Sequence, residues 1–249
     1  MSINTEILNK VQKINNNVYI NKDKILNTRH KQVAIRHISD ELFGEEFGID
    51  NFSEFQKVLS TFSENEISFE KNGNDVVNII IEDKKSRSKI IYRVASKVLC
   101  EDQIESNQKA DGLFNLCKES ISNEHFFSFE LSESEINNFV KMGSTFKAGD
   151  KKSYIRFTRE MGEDFQVKVY NKSSDNVFLC KKEVDDRISL KNIDVFFDIN
   201  KLISGNYKCY MIDSSVDKEN KIKLYDIALY CVDEENKVEL LIQYDSVDD

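Results

Sequence analysis

The apolar positions of this chain switch repeatedly between the two-residue period of strands and the longer period of helices. Phe126 to Leu131 alternate as a strand, and Ser132 to Glu135 have the form of a capping box that opens a helix. Its apolar stripe is Ile136, Phe139, Val140 and Phe146. Turn-like residues then separate three predicted strands, at 153–159, 164–170 and 177–184.

The same order of elements recurs to the end of the chain. A strand at 194–197 leads into a short helix that Asp198 caps and that stops at Gly205. Its inward residues are Ile199, Leu202 and Ile203. Three strands follow, at 207–212, 222–232 and 238–244. The second half therefore reads as two successive units of strand, helix and three strands.

The first half fits the same plan. Its opening helix, 5–15, has no convincing strand before it, and the strands after it are 18–21, 24–28 and 32–38. Asn51 to Glu54 form another cap signature. Behind it, an apolar helix face is formed by Phe52, Phe55, Val58, Leu59 and Phe62. The strands of this second unit are 66–70, 76–82 and 89–94.

These units predict an α+β fold of two similar domains, each built from two βαβββ units with the helices on one side of the sheets. The predicted domains are 1–96 and 125–249. Residues 97–124 mix charge, Asn and Ser around an apolar knot of Leu113, Phe114 and Leu116, so we interpret them as an interdomain connector. A chain of 249 residues with 40% hydrophobic content is long enough for two cores.

Residues that carry chemistry are few. Five cysteines without a CxxC pair indicate reduced, packed thiols, and His30, His37 and His125 lack metal-ligand spacing. No glycine-rich phosphate loop is present. We therefore expect no enzyme activity, no cofactor and no metal, and the acidic pairs 82–83 and 185–186 are left as a minor alternative for Mg²⁺.

Charge is distributed unevenly over the predicted helices. The formal net charge of -9 argues against a protein that wraps nucleic acid over its whole surface. Beyond their first turns, however, the polar helix faces carry Lys, Asn, Gln, Ser and Thr and almost no acid. Such faces could meet a polyanion together. The alternative is a set of solvated faces in a chain rich in Lys and Asn.

Two stretches resemble a known family. Residues 197–208, FDINKLISGNYK, and residues 49–59, IDNFSEFQKVL, followed by Asn65 to Ser68, are similar to parts of DNA polymerase sliding clamps. The likeness is to two-domain clamps with the PCNA fold, specifically the processivity clamps of tailed bacteriophages. It covers the whole chain as a layout, and its motifs are not diagnostic signatures.

The resemblance implies a homotrimeric ring whose helices face a central hole through which double-stranded DNA passes without sequence recognition. The implied partners are a DNA polymerase and a clamp loader, without a cofactor or a membrane, in the cytoplasm of an infected bacterial host. The implied DNA-facing residues are Lys10, Lys13, Lys57, Lys141, Lys147 and Lys201.

Ring closure would pair an exposed strand of the first domain with one from a neighbour's second domain. By position, the paired residues would be Ile90, Ile91, Tyr92 and Val94 on one side and Val177, Phe178, Leu179 and Lys182 on the other. Partner peptides would bind beside Leu113, Phe114, Leu116 and Val247. For the first three of these residues, anchoring of the connector is the alternative.

Two other classes of function remain open. A phage tail or capsid protein could also be β-rich, acidic and free of catalytic motifs, but nothing in it would require acid-poor helix faces. A single-strand-binding module would need aromatic side chains exposed along a basic groove. No stretch reaches the roughly 18 apolar residues of a membrane helix, and no signal peptide is expected.

Overall fold

A computed structural model of the chain describes residues 5–29, 32–39, 43–62, 65–123, 126–146, 152–160, 163–172, 176–186, 193–212 and 229–243. The chain divides into two compact units. Unit 1 comprises Met1–Asp111 with Asn236–Val238, and unit 2 comprises Gly112–Glu235 with Glu239–Asp249.

The described part of unit 1 contains two antiparallel sheets and two short helices, followed by a 3-10 helix and the first half of a longer helix. Its elements are α1 (Thr5–Ile14), β1 (Val18–Ile20), β2 (Lys24–Arg29), β3 (Val33–Ile38), β4 (Phe47–Ile49), α2 (Phe52–Leu59), β5 (Asn65–Asn72), β6 (Asp75–Asp83) and β7 (Ser88–Arg93). One sheet has the order β3-β2-β1-β4 and the other β5-β6-β7. A short 3-10 helix, η1 (Lys97–Cys100), then leads into α3 (Glu101–Ser122), which continues into unit 2.

Unit 2 repeats this plan, with a longer first helix and a short 3-10 helix in place of the second. Its elements are β8 (Phe126–Leu131), α4 (Glu133–Thr145), β9 (Ser153–Arg159), β10 (Gln166–Asn171), β11 (Val177–Lys181), β12 (Asp185–Asp186), β13 (Ile193–Asp198), the 3-10 helix η2 (Ile199–Lys201), β14 (Tyr207–Ile212), β15 (Leu229–Asp233) and β16 (Val238–Ile242). The sheets have the orders β12-β8-β14-β15-β16 and β11-β10-β9-β13.

The two halves of unit 2 are interlocked by exchanged strands. The first strand of its first half, β8, pairs with β14 of the second half, while β13 of the second half pairs with β9 of the first. In unit 1, β4 likewise pairs with β1. The predicted α+β fold of paired βαβββ units is therefore confirmed.

Capping residues start the helices where the sequence predicts. The Asn51 side chain accepts a hydrogen bond from the backbone N–H of Glu54, which begins α2. Ser132 and Glu135 form a complete capping box on α4, and the Asp198 side chain accepts from the N–H of Asn200 in η2. Each cap satisfies a backbone donor that the helix leaves unpaired.

Aromatic residues dominate both cores. In unit 1, Phe52 and Phe55 of α2 are fully buried. In unit 2, rings from both sheets meet at Phe129, Phe157 and Phe165. Gly143 allows α4 to approach η2 closely, because a Cβ there would lie 3.1 Å from the Ile199 side chain.

The predicted connector differs most from the structure. The interpretation of residues 97–124 as an interdomain connector included no helix, whereas η1 and the 22-residue helix α3 occupy almost all of this segment. The predicted strand 222–232 is described only from Leu229 onward. Within the described ranges, no helix is long and apolar enough to cross a membrane.

Candidate nucleic-acid interface

The helix surface of unit 1 is formed by α1 and α2, which lie side by side. The Gln56 amide donates to the Asn9 side chain at 3.4 Å, and Asn16 donates to Asn51 at 3.1 Å. Lys13 and Lys57 are both exposed on this surface. Basic and amide side chains thus form one polar face.

Acid is confined to the first turns of these two helices. Glu6 lies in the first turn of α1 and Glu54 in the first turn of α2. Negative charge at a helix N-terminus is stabilised by the helix dipole, so these two residues have a structural reason for their positions. Directly after α2, the hydroxyl groups of Ser60 and Thr61 donate to the carbonyl of Lys57.

The helix surface of unit 2 is formed by α4. Its exposed polar residues beyond the first turn are Asn137, Asn138, Lys141, Ser144 and Thr145. Glu133 and Glu135 again lie in the first turn. Glu133 accepts a hydrogen bond from the Ser204 hydroxyl at 2.7 Å, and Lys182 donates to Glu135 at 2.6 Å. This face has the same composition as the helix surface of unit 1.

The predicted lysines separate into two groups. Lys13, Lys57 and Lys141 are exposed, whereas Lys10 is 4% exposed and Lys201 is 3% exposed. Lys10 forms an ion pair with Glu6 at 3.0 Å, and the Lys201 ammonium donates to the carbonyl of Gln243 at 3.1 Å.

The DNA-facing assignment of Lys10 and Lys201 is therefore corrected. Their ammonium groups bind partners within their own units, and burial removes their side chains from the surface. Lys147 lies outside the described residues. Three exposed lysines among amides and hydroxyls remain, a donor set suited to diffuse and water-bridged contacts with phosphate.

Exposed aromatic side chains are absent from the described part of the chain. No Phe or Tyr whose burial is described there belongs to the exposed class. Rings that stack with bases must be accessible on a basic groove. The aromatic rings whose burial is described are thus buried or half-buried, which does not favour the single-strand-binding alternative.

The predicted subunit-interface residues lie on two outer strands, except Val94 and Lys182, which directly follow these strands. β7 is an outer strand of unit 1 and β11 an outer strand of unit 2. Ile91 is 56% exposed, Val177 54% and Leu179 48%. An unpaired edge with apolar side chains favours pairing with another strand.

Other predicted interface residues are occupied within their own units. The Tyr92 ring is buried against that of Phe55, with 5.2 Å between the ring centroids, and the Phe178 ring packs against that of Phe139, with 5.9 Å between the centroids. The Lys182 side chain is 14% exposed in its ion pair with Glu135. Their backbones can still belong to an edge ladder, but Tyr92 cannot present its side chain to a partner without repacking.

The predicted partner site is only partly accessible. Leu113 and Leu116 on α3 are half-buried, while Phe114 is fully buried with its ring 6.3 Å from that of Tyr230. Phe114 therefore anchors α3 within unit 2, and its predicted role in partner binding is corrected. Val247 lies outside the described residues.

Sequence reasoning missed the most exposed apolar pair that the structure describes. Val98 is 72% exposed and Leu99 is 80% exposed, both on η1. Two adjacent apolar residues in a charged segment were the available signal, but they have no periodicity from which to infer a face.

As for metal ions, the described residues contain no group of three or more His, Cys, Asp or Glu side chains that could hold one.

No protein-family model and no curated protein sequence matches this chain. Solved structures do match it. One is the DnaN sliding clamp from Bartonella birtlesii bound to griselimycin, at 12% identity over 97% of this chain and 64% of that one, with a TM-score of 0.59. The DNA polymerase sliding clamp from Bacillus subtilis matches at 7% identity over 98% of this chain and 63% of that one, with a TM-score of 0.56.

The Proliferating Cellular Nuclear Antigen from Entamoeba histolytica is similar at 11% identity, over 97% of this chain and 94% of that one, with a TM-score of 0.55. The chain thus spans less than two thirds of the bacterial clamp chains and nearly all of the Entamoeba chain. Together with the exchanged-strand topology of unit 2, these matches give the chain the sliding-clamp fold.

Proposed function

We propose that this protein is a DNA polymerase sliding clamp, a non-enzymatic ring that encircles duplex DNA and tethers a polymerase to it. The observation that carries the proposal is the match to sliding-clamp structures over 97% of the chain. Acid-poor helix surfaces in both units add to it, because a ring on DNA needs sites for phosphate and no base readout.

Lys13, Lys57 and Lys141 are the proposed phosphate-binding residues, together with Lys147, which follows Lys141 by six residues in the sequence. Each is a flexible ammonium donor, and the neighbouring amides and hydroxyls add weaker contacts. Weak and interchangeable contacts let the ring move along the duplex, because a lysine that releases one phosphate can bind the next one along the strand.

Ring closure is proposed to occur between β7 of one copy and β11 of the next. Among the described residues, no strand pairs with the outer edge of β7 or of β11, and Ile91, Val177 and Leu179 are exposed on these two strands. Head-to-tail pairing around a closed ring would leave neither edge free. We infer a homotrimer, because the chain has two domains and matches the length of a PCNA chain.

A polymerase and a clamp loader are the proposed partners, since a closed ring cannot thread onto circular DNA unaided. The half-buried Leu113 and Leu116 on α3 are the proposed contact for partner peptides. The likeness of residues 197–208 to phage clamps supports a phage-encoded clamp, which would act in the cytoplasm of an infected bacterium.

The direct test of the assembly combines light scattering with negative-stain electron microscopy. The proposal predicts a species of three chain masses that gains population with concentration, and images of a threefold ring with a central hole wide enough for duplex DNA. A strict monomer at all concentrations, or an open filament, would contradict it.

A further inference from the structure

The apolar pair on η1, Val98 and Leu99, is exposed although it lies within a regular element of unit 1. Val98 and Leu99 have greater exposure than any other large apolar side chain whose burial the structure describes. Single exposed apolar residues are ordinary on protein surfaces. Val98 and Leu99, however, are adjacent and 72% and 80% exposed, so together they form an apolar patch whose exposure to water is unfavourable. Such a patch favours a partner that covers it.

The backbone around this pair is held firmly. The N–H of Ala95 donates to the carbonyl of Gly48 at 2.9 Å, and the N–H of Leu99 donates to the carbonyl of Ser96 at 3.0 Å. Cys100, the next residue, is buried against Gly48. The pair is thus presented outward from a fixed base, which lowers the entropy cost of docking.

The patch lies close in sequence to the strand proposed to join two copies. Ile91 on β7 is exposed, and η1 begins four residues after β7 ends. β7 has six residues and β11 has five. A standard stable interface uses about 20 to 30 residues a side, so a ladder this short needs further contact surface beside it.

An antiparallel ladder fixes which end of β11 would approach η1. The residues that follow β7 would lie beside the start of β11, where Val177 is 54% exposed. Lys172 lies at the same end, because β10 and β11 are paired with Tyr170 opposite Val177. Lys172 is exposed and its ammonium is 5.0 Å from the Tyr154 ring centroid.

Charges at these two places are complementary. Glu101 and Asp102 directly follow η1 and are exposed. The carboxylates of Glu101 and Asp102 lie beside the apolar pair on η1, and at the start of β11 Lys172 lies beside the apolar Val177. The two surfaces are therefore complementary in both charge and apolar character. The second copy of this chain is therefore the occupant with matching chemistry.

We propose that η1 is a second contact between copies, in which Val98 and Leu99 cover Val177 of the neighbour while Glu101 and Asp102 face its Lys172. This inference rests on the proposed ring. It goes beyond strand pairing by assigning an apolar and charged anchor next to the ladder.

The test is the dissociation constant of the trimer, measured by sedimentation equilibrium. Val98→Ser with Leu99→Ser should weaken assembly at least tenfold, because two large apolar side chains lose their cover. Ile38→Ser is the matched control, since Ile38 is also exposed, at 37%, on β3. It should assemble as the wild type does, and thermal melting checks that each variant is folded.

A charge exchange provides an independent arm. Glu101→Lys should weaken assembly, and adding Lys172→Glu to the same chain should restore it at least in part. If the wild type forms trimers and the serine variants assemble equally well, the η1 contact is overturned while the proposed ring stands. A charge pair that is not restored would overturn the assigned partner of Glu101. A wild type that stays monomeric would overturn the ring itself.

Discussion

Asp111 joins two basic side chains in unit 1. Its carboxylate accepts from the Lys24 ammonium at 2.6 Å and from the Arg36 guanidinium at 2.7 Å. Burial alone would raise the pKa of Asp111, but the hydrogen bonds and charges of Lys24 and Arg36 outweigh it, so the pKa lies below its usual value. The pairing therefore stabilises the folded state when Asp111 is ionised.

Asp111→Asn should lower the free energy of unfolding by about 1–2 kcal/mol at neutral pH, because Arg36 is 3% exposed and loses its anionic partner. Since the folded pKa is depressed, this contribution is present above the unfolded pKa of about 3.9 and is lost as pH falls through the folded value. Urea unfolding at pH 7 and near pH 3 should show the difference between variant and wild type shrinking on acidification.

Glu105→Gln is the matched control for this prediction. Glu105 forms an exposed pair with Lys109 one helical turn away, which is worth at most about 0.5 kcal/mol. An equal loss from both variants would show that Asp111 has no special role.

Individual lysines show how far helical periodicity predicts a surface. Lys10 lies three residues after Ile7 and four before Ile14, both buried, so its position belongs to the inward face of α1. That burial could have been predicted from spacing. For Lys201, the partner is the distant carbonyl of Gln243, which no local pattern reveals.

At the scale of elements, the N-terminus of α4 depends on its capping box. The Ser132 hydroxyl accepts from the N–H of Glu135 at 3.3 Å, and the Glu135 carboxylate accepts from the N–H of Ser132 at 2.9 Å. Ser132→Ala should lower the free energy of unfolding by about 1 kcal/mol. Thermal or urea unfolding measures it, and Ser144→Ala, which removes an exposed hydroxyl near the end of α4, should cost clearly less.

The helix surfaces predict a salt-dependent contribution to DNA affinity. Lys13→Gln, Lys57→Gln and Lys141→Gln should each weaken duplex binding modestly, and the triple variant should weaken it strongly. The slope of log affinity against log salt should fall by about one for each phosphate contact that is lost. Fluorescence anisotropy over a salt series provides this slope.

Lys84→Gln is the control for that series, because Lys84 is exposed beyond the end of β6, outside the helix surfaces. The assignment of the helix surfaces would be wrong if this variant reduced the slope as much as the helix variants did.

The contacts of helix α3 show why the apolar pattern of the sequence did not predict this 22-residue element. Its unit 1 half is fixed by amides: Asn107 donates to the carbonyl of Leu26 at 2.8 Å, and Gln103 donates to the side chains of Asn27 at 3.2 Å and Thr28 at 3.3 Å. A helix buried partly through polar contacts has no clear apolar stripe. The capped helices α2 and α4 have one, and their positions were predicted correctly.

At the scale of the whole molecule, the proposed edge pairing predicts a specific cross-link. Ile90 lies on the same face of β7 as Tyr92, and Cys180 on the same face of β11 as Phe178; both of these aromatic residues pack on helices. With Ile91 opposite Leu179, Ile90 and Cys180 would be directly opposed, at a separation that a disulfide can span.

Ile90→Cys should therefore form covalent dimers and trimers with native Cys180 under mild oxidation, as seen on a non-reducing gel. Adding Cys180→Ser should abolish them. The other cysteines, Cys100, Cys117, Cys209 and Cys231, are buried, so they should not compete. Absence of cross-linked species at concentrations where trimers form would rule out this pairing.

Encirclement of DNA is tested most directly by closing the Ile90→Cys ring in the presence of a nicked circular plasmid. Protein and plasmid are mixed at a concentration where subunits exchange, oxidised, and passed through gel filtration in high salt, which removes ionic contacts. The account predicts that the cross-linked protein elutes with the circular plasmid and is released when a restriction enzyme linearises it. Release in high salt before linearisation, or retention afterwards, would contradict a topological link.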